Sequence, residues 1–212
     1  MTPSRPRTFR IVLIALLAVA VLVLAGVLIV LIPILTHQSA GGSGQNLPTE
    51  FVSEVSATGA DGRTRTLEAT TPDGTPAELD QVTPGESLVI SGTGFDSGIG
   101  IYLAICAIPE SPSEKPGPCL GGIPEGAESG DANATVGLAS AWITDAWAWR
   151  AFATHGYDDP ETGAFAAMLT VPDPVMDGLD CRETRCAIAT RADHTAASDR
   201  VQDILLPVAF AE

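Results

Sequence analysis

The sequence predicts an all-β sandwich held outside the cell behind a single N-terminal transmembrane helix. Three observations carry that reading. Ile11–Leu35 is an apolar run without a charged residue. Beyond it, short alternating runs of β-prone residues are separated by Gly, Pro and Asp turn signals. All four cysteines, Cys106, Cys119, Cys181 and Cys186, follow the apolar run, an even number suited to two disulfides in an oxidising compartment.

Residues 1–10 read as a short basic cytoplasmic tail. Residues 11–35 at ~1.5 Å rise give roughly 37 Å of helix, enough for a ~30 Å hydrocarbon core. A helix satisfies its own backbone in lipid, so Gly26 and Pro33 are tolerable there. Arg5, Arg7 and Arg10 precede the run, and the next basic residue is Arg63. The positive-inside rule then puts the N-terminus in the cytoplasm and the rest outside a plasma membrane. The lipid bilayer is thus the first expected partner. A cleaved signal peptide is the rival, but its apolar core would be about 7–15 residues long, and Gln38-Ser39-Ala40 is a poor cleavage site. Ala18, Ala25 and Gly26 permit helix–helix packing. Residues 36–48, THQSAGGSGQNLP, read as a flexible linker with a reach on the order of 20 Å.

Residues 49–212 form the expected β-domain. All 26 acidic residues follow the anchor, against eight basic ones, a formal −18. That excludes nucleic acid as a partner and disfavours anionic surfaces; it suits a soluble domain, or one meeting a basic patch or cations.

The strands follow in order. FVSEVSAT and RTRTLEAT flank Asp61-Gly62, a hairpin signal, with Arg63 and Arg65 on one face of the second strand. TPDGT (71–75) and TPGES (83–87) are turns. SLVISGTGF is a buried-type strand ending in glycines. GIGIYLAIC (98–106) is apolar on both faces: Ile101, Leu103 and Ile105 on one, Tyr102, Ala104 and Cys106 on the other. One face meets the core and the other must be covered. Residues 107–133 read as a long loop. Leu138–Phe152 holds all three tryptophans and suits strand or irregular structure. AFAAMLTV puts Phe165, Ala167, Leu169 and Val171 on one face. VPDPVMDGLD breaks the chain, CAIATRAD is a strand, and ILLPVAF is the last, with Pro207 placing it at an edge or bulge. Seven to nine short strands without a long helical pattern make an immunoglobulin-like sandwich.

The four cysteines allow three pairings, of which Cys106–Cys119 with Cys181–Cys186 needs the least rearrangement. Zinc lacks a histidine at finger-like spacing, and CxxC is absent.

The segments SLVISGTGFDSGIGIYLAICAIPE, TGAFAAMLTV and DCRETRCAIATRADH together resemble the neocarzinostatin-like, or enediyne-chromoprotein apoprotein, family. The resemblance covers Thr83–Phe210. It implies a seven-stranded immunoglobulin-like sandwich, the bridges Cys106–Cys119 and Cys181–Cys186, and an actinobacterial source. The family's ligand-lining residues have no one-to-one match here. By analogy with single-span accessory subunits built on such sandwiches, the expected partners are membrane or cell-envelope proteins.

Trp142, Trp147, Trp149 and Phe152 are the candidate partner-binding residues. On a period-2 strand Trp147 and Trp149 share a face, which is either core filling or a contact surface. His194, with Asp193 and Asp199 nearby, is the candidate for a hydrolase reading, although Gly-x-Ser-x-Gly is absent. His37 reads as solvated at the membrane exit and His155 as part of a turn. Asp158, Asp159 and Glu161 match no calcium loop. SGTG at 91–94 is not a phosphate loop, and Arg182 with Arg185 reads as a hairpin tip. No metal and no cofactor is expected, and the leading expectation is a non-catalytic interaction domain. A small-ligand module, with a cleft between the Cys106–Cys119 loop and the Cys181–Cys186 hairpin, is the alternative.

Overall fold

The computed structural model describes residues 7–121, 138–176 and 178–211. It divides into two compact units, Met1–His37 and Gln38–Glu212. The first contains one helix, α1 (Arg7–Thr36), of 30 residues with Pro33 inside it. Its most apolar window has a mean hydropathy of 3.3, and none of that window is buried. Such a helix is long and apolar enough to cross a membrane, and it serves equally as an anchor or a signal sequence. It starts earlier than the apolar run, so Arg7–Arg10 of the expected tail are helical.

The second unit is built from antiparallel sheets. One has the order β1-β2-β3-β6, from β1 (Glu54–Thr58), β2 (Thr64–Thr70), β3 (Ser87–Thr93) and β6 (Phe165–Thr170). The other has the order β10-β9-β4-β5, from β4 (Ile101–Ala107), β5 (Ser140–Ile143), β9 (Cys186–Ala192) and β10 (Ile204–Val208). A small hairpin, β7 (Val175–Met176) with β8 (Leu179–Asp180), lies in the segment expected only to break the chain.

Alternation explains the core. Leu67, Ala69, Leu88, Ile90, Phe165, Ala167 and Leu169 of the first sheet share one cluster with Ile101, Leu103, Ile105, Ile188, Ile204 and Leu206 of the second. The large rings inside are Phe95 and Phe165, edge to face at 5.1 Å, with Tyr157 beside Phe165. The β1–β2 turn works as Asp61-Gly62 predicts, with Gly62 at a φ of 78°. Polar side chains are buried here too, Arg65 and its partner Gln202 among them. Arg65 is fully buried and forks onto Asp61 at 3.0 and 2.6 Å, while its Nε donates to Gln202 at 2.6 Å. That pairing holds the Asp61 carboxyl below its usual range.

Both disulfides form as Cys106–Cys119 and Cys181–Cys186. The edge position expected from Pro207 is found, since β10 ends its sheet. The expected flexible linker over 36–48 is different. From Ala40 onward it is docked on the domain. The Ala40 amide donates to Asp199, Gly42 bridges Arg200, and Arg185 donates to the Pro48 carbonyl. Gln45 acts as a surrogate strand: its Oε1 accepts from the Leu205 amide and its Nε2 donates to the Leu205 carbonyl, both at 2.8 Å. An edge strand with open backbone groups favours such a cap.

This docked strap also answers how the second face of β4 is covered. Ala104, Cys106, Ala187, Ala189 and Leu205 form a separate buried cluster against Leu47, Ile108 and Cys119.

Candidate functional site

The site lies on the outward face of the β10-β9-β4-β5 sheet. Register brings three large side chains into one row, because Tyr102 of β4 pairs with Trp142 of β5 on one side and Arg191 of β9 on the other. Residues next to one another across strands point to the same face. β9 then runs into Asp193 and a 3-10 turn, His194–Ala196, which Asp193 caps.

That turn sets His194 among aromatic rings. Its centroid is 4.7 Å from Trp149 and 5.2 Å from Trp142, both edge to face, and 6.3 Å from Tyr102. Tyr102 and Trp142 are 5.7 Å apart, and Trp142 and Trp149 6.4 Å. The Tyr102 hydroxyl and His194 Nδ1 share a hydrogen bond of 2.8 Å. Burial, with the Asp193 carboxylate second, raises the Tyr102 phenol above its usual range.

Asp193 is the post behind the cluster. It is 0% exposed. One carboxylate oxygen accepts from the Trp142 indole at 2.9 Å; the other accepts from the Thr195 amide at 2.8 Å and its hydroxyl at 2.6 Å. The position tolerates only glycine at 100, because a Cβ there would meet Asp193 Oδ2 at 2.0 Å. The Trp142 indole is thereby fixed. Among the described residues no cationic side chain makes an ion pair with Asp193.

At the Tyr102 end two cations are held by backbone carbonyls. Arg191 lies 6.0 Å over the Tyr102 ring and donates to Pro116, and Lys115 donates to Ala192 at 3.1 Å. Burial lowers the pKa of both. Asp203, buried and paired with Arg200 at 2.9 Å, is pushed up to about 6 by burial.

The four candidate partner-binding residues separate into two pairs. Trp142 and Trp149 are half-buried in the ring cluster. Trp147 and Phe152 are 76% and 69% exposed, the most exposed large hydrophobics among the described residues of the second unit. The period-2 condition under which Trp147 and Trp149 would share a face is not met, since β5 ends at Ile143 and irregular structure follows. Thr144 Oγ1 then accepts from the Ala146 amide, and the Trp149, Arg150, Phe152 and Ala153 amides close successive turns. A local hydroxyl acceptor competes with the ladder and starts a turn. The two tryptophans therefore do not share a strand face. None of the three fills the core, which Phe95, Phe165 and Tyr157 occupy instead.

His194 is exposed, and the Asp193 carboxylate bonds Trp142 and Thr195 rather than the imidazole, so no His–Asp relay is assembled. Among the described residues no three His, Cys, Asp or Glu side chains converge as a metal site. Where the ligand cleft was expected, there is an open depression of about 180 Å³ lined by Phe51, Ile108, Pro207 and the Cys181–Cys186 hairpin. Ligand pockets typically run to roughly 300–1,000 Å³, so the described residues bound a smaller space. Arg182 and Arg185 on its rim are committed to Asp180 and Pro48.

Sequence reasoning missed Tyr102 and Asp193 as members of the site. Tyr102 had a signal, as the one large ring on the outward face of an apolar strand. Asp193 was singled out only as a neighbour of His194, and its bond to Trp142, which spans 51 residues, had no signal.

Compared with family models, with curated proteins and with solved structures, the chain has no match in any of the three.

Proposed function

We propose that this chain is a membrane-anchored, extracytoplasmic, non-catalytic interaction domain, an accessory or scaffolding subunit of an actinobacterial membrane or cell-envelope complex. The observation that carries this is the placement of all three tryptophans at the surface of a domain whose core is filled without them. Exposed Trp is costly to keep in water and favoured at protein contacts. The anchor reading draws on α1 and the arginines before the apolar run, and the outside location draws on the two disulfides. The two sheets sharing one core are consistent with an immunoglobulin-like sandwich, and the actinobacterial source rests on the resemblance alone.

The test uses the full chain in its native membranes, carrying a photo-crosslinking amino acid at position 147 or 152. A discrete adduct with the same protein from both positions, and not from position 73 in the turn after β2, supports the reading. A lone monomer, or equal labelling from position 73, overturns it.

A further inference from the structure

We propose that the Trp142–Trp149 end of the ring cluster receives a cationic side chain, an arginine or lysine, of the partner protein. This deepens the interaction-domain reading and rests on it.

Three observations converge. The first is the ring geometry. Trp142, Trp149 and His194 are mutually tilted by 46–87° with centroids 4.7–6.4 Å apart. Both indoles remain partly accessible. Indole faces are the strongest of the natural cation–π acceptors. The second is Asp193. A carboxylate that is fully buried and hydrogen-bonded, with no ion pair at contact distance among the described residues and only a longer-range attraction to Lys115, leaves negative potential at the Nε1 edge of the Trp142 indole. A buried charge is ordinarily paired, and a cation arriving over the indole supplies the opposite sign. The third is charge at long range. The chain after the apolar run is formally −18, which draws basic partners and repels acidic ones.

The chain's own residues indicate which end is open. At the Tyr102 end a guanidinium already sits over the ring, that of Arg191, with Lys115 in the adjoining loop. A second cation there meets repulsion. The Trp149 end has no guanidinium or ammonium over its ring among the described residues, and Asp193 bonds the Nε1 edge of the neighbouring Trp142. Arg191 over Tyr102 is thus an intramolecular copy of the contact proposed for the partner.

The experiment uses the full chain in nanodiscs of phosphatidylcholine at about 150 mM salt, where long-range attraction is largely screened. The probe is a capped pentapeptide with two arginines. Its control carries citrulline, which has the same shape without the charge. Binding is read by calorimetry and tryptophan fluorescence. The arginine peptide is expected to bind saturably, and the citrulline peptide about tenfold more weakly or not at all. Trp149→Ala is expected to weaken the arginine peptide about tenfold, and Trp149→Phe by less, because a ring remains. Circular-dichroism melting identifies a variant that loses its fold, in which case Trp149→Phe carries the comparison. Equal binding of the two peptides, no binding of either, or unchanged affinity in the Trp149 variants overturns the proposal. If none binds while positions 147 and 152 still crosslink one protein, the cation site fails and the interaction domain stands.

Discussion

The outward face of β4 is apolar from end to end, yet its two halves are treated differently. At the Ala104–Cys106 end the docked strap, the Cys119 bridge and Ile108 close over it. At the Tyr102 end nothing comparable covers it among the described residues, and large rings stand half-buried around His194. Among the described residues, the same strand thus carries one apolar surface that is covered and one that is left accessible. Folding alone would favour covering both. On the interaction-domain proposal, the uncovered half is where a partner would supply the cover.

The largest test of this contrast removes the cover. Cys106→Ala with Cys119→Ala deletes a bridge between residues 13 apart in sequence, and should cost about 2–4 kcal/mol in denaturant unfolding. The variant should bind a hydrophobic dye at the exposed Ala104–Leu205 cluster while keeping arginine-peptide affinity. Loss of both together would mean the halves are one unit.

Next in size is the strap. Gln45→Ala orphans the Leu205 amide and carbonyl and should cost about 1–3 kcal/mol. Amide exchange at Leu205 should speed up more than exchange in β2. An unchanged rate would mean that the strap is held by other contacts.

A smaller effect comes from Asp203, paired with the same Arg200 that bridges the strap. Its folded pKa of about 6 lies above the ordinary carboxylate value near 3.8. The proton is therefore bound more tightly in the folded state. Its stability contribution is complete below pH ~3.8 and is lost as pH rises through ~6. From pH 7 to pH 5 the chain should gain about 1 kcal/mol from this group. His155, whose pKa burial lowers, acts oppositely in that window, so the measurement is the wild type minus Asp203→Asn. A pH-independent difference removes Asp203 as the cause.

What the sequence disclosed about this contrast follows from how local each signal is. Asp61-Gly62, the Phe165–Val171 alternation and Pro207 act over one to seven residues, and each is found as expected. The apolar outer face of β4 also announced that a cover was needed. The cover itself was unreadable, because Gly/Ser composition argues for a free coil and gives no hint that Gln45 would grip a strand 160 residues away. The ring cluster failed for the same reason. Trp149 reaches His194 only because β5 stops at Ile143, and a hydroxyl–amide bond from Thr144 decides that stop. β7 and β8, two residues each, are too short to leave a period.

The smallest expected change in stability is the one that separates contact from packing most cleanly. Trp147→Ala and Phe152→Ala remove rings that are mostly in water, so each should shift unfolding by no more than about 0.5 kcal/mol. Trp149→Ala, which loses ring contacts with Trp142 and His194, should cost more. Recovery of the partner should fall with all three, because a contact surface answers to lost area and not to the stability of the free domain. If Trp147→Ala and Phe152→Ala instead destabilise the domain by as much as Trp149→Ala does, the exposed pair is structural. The uncovered half of the β4 face would then need no second molecule.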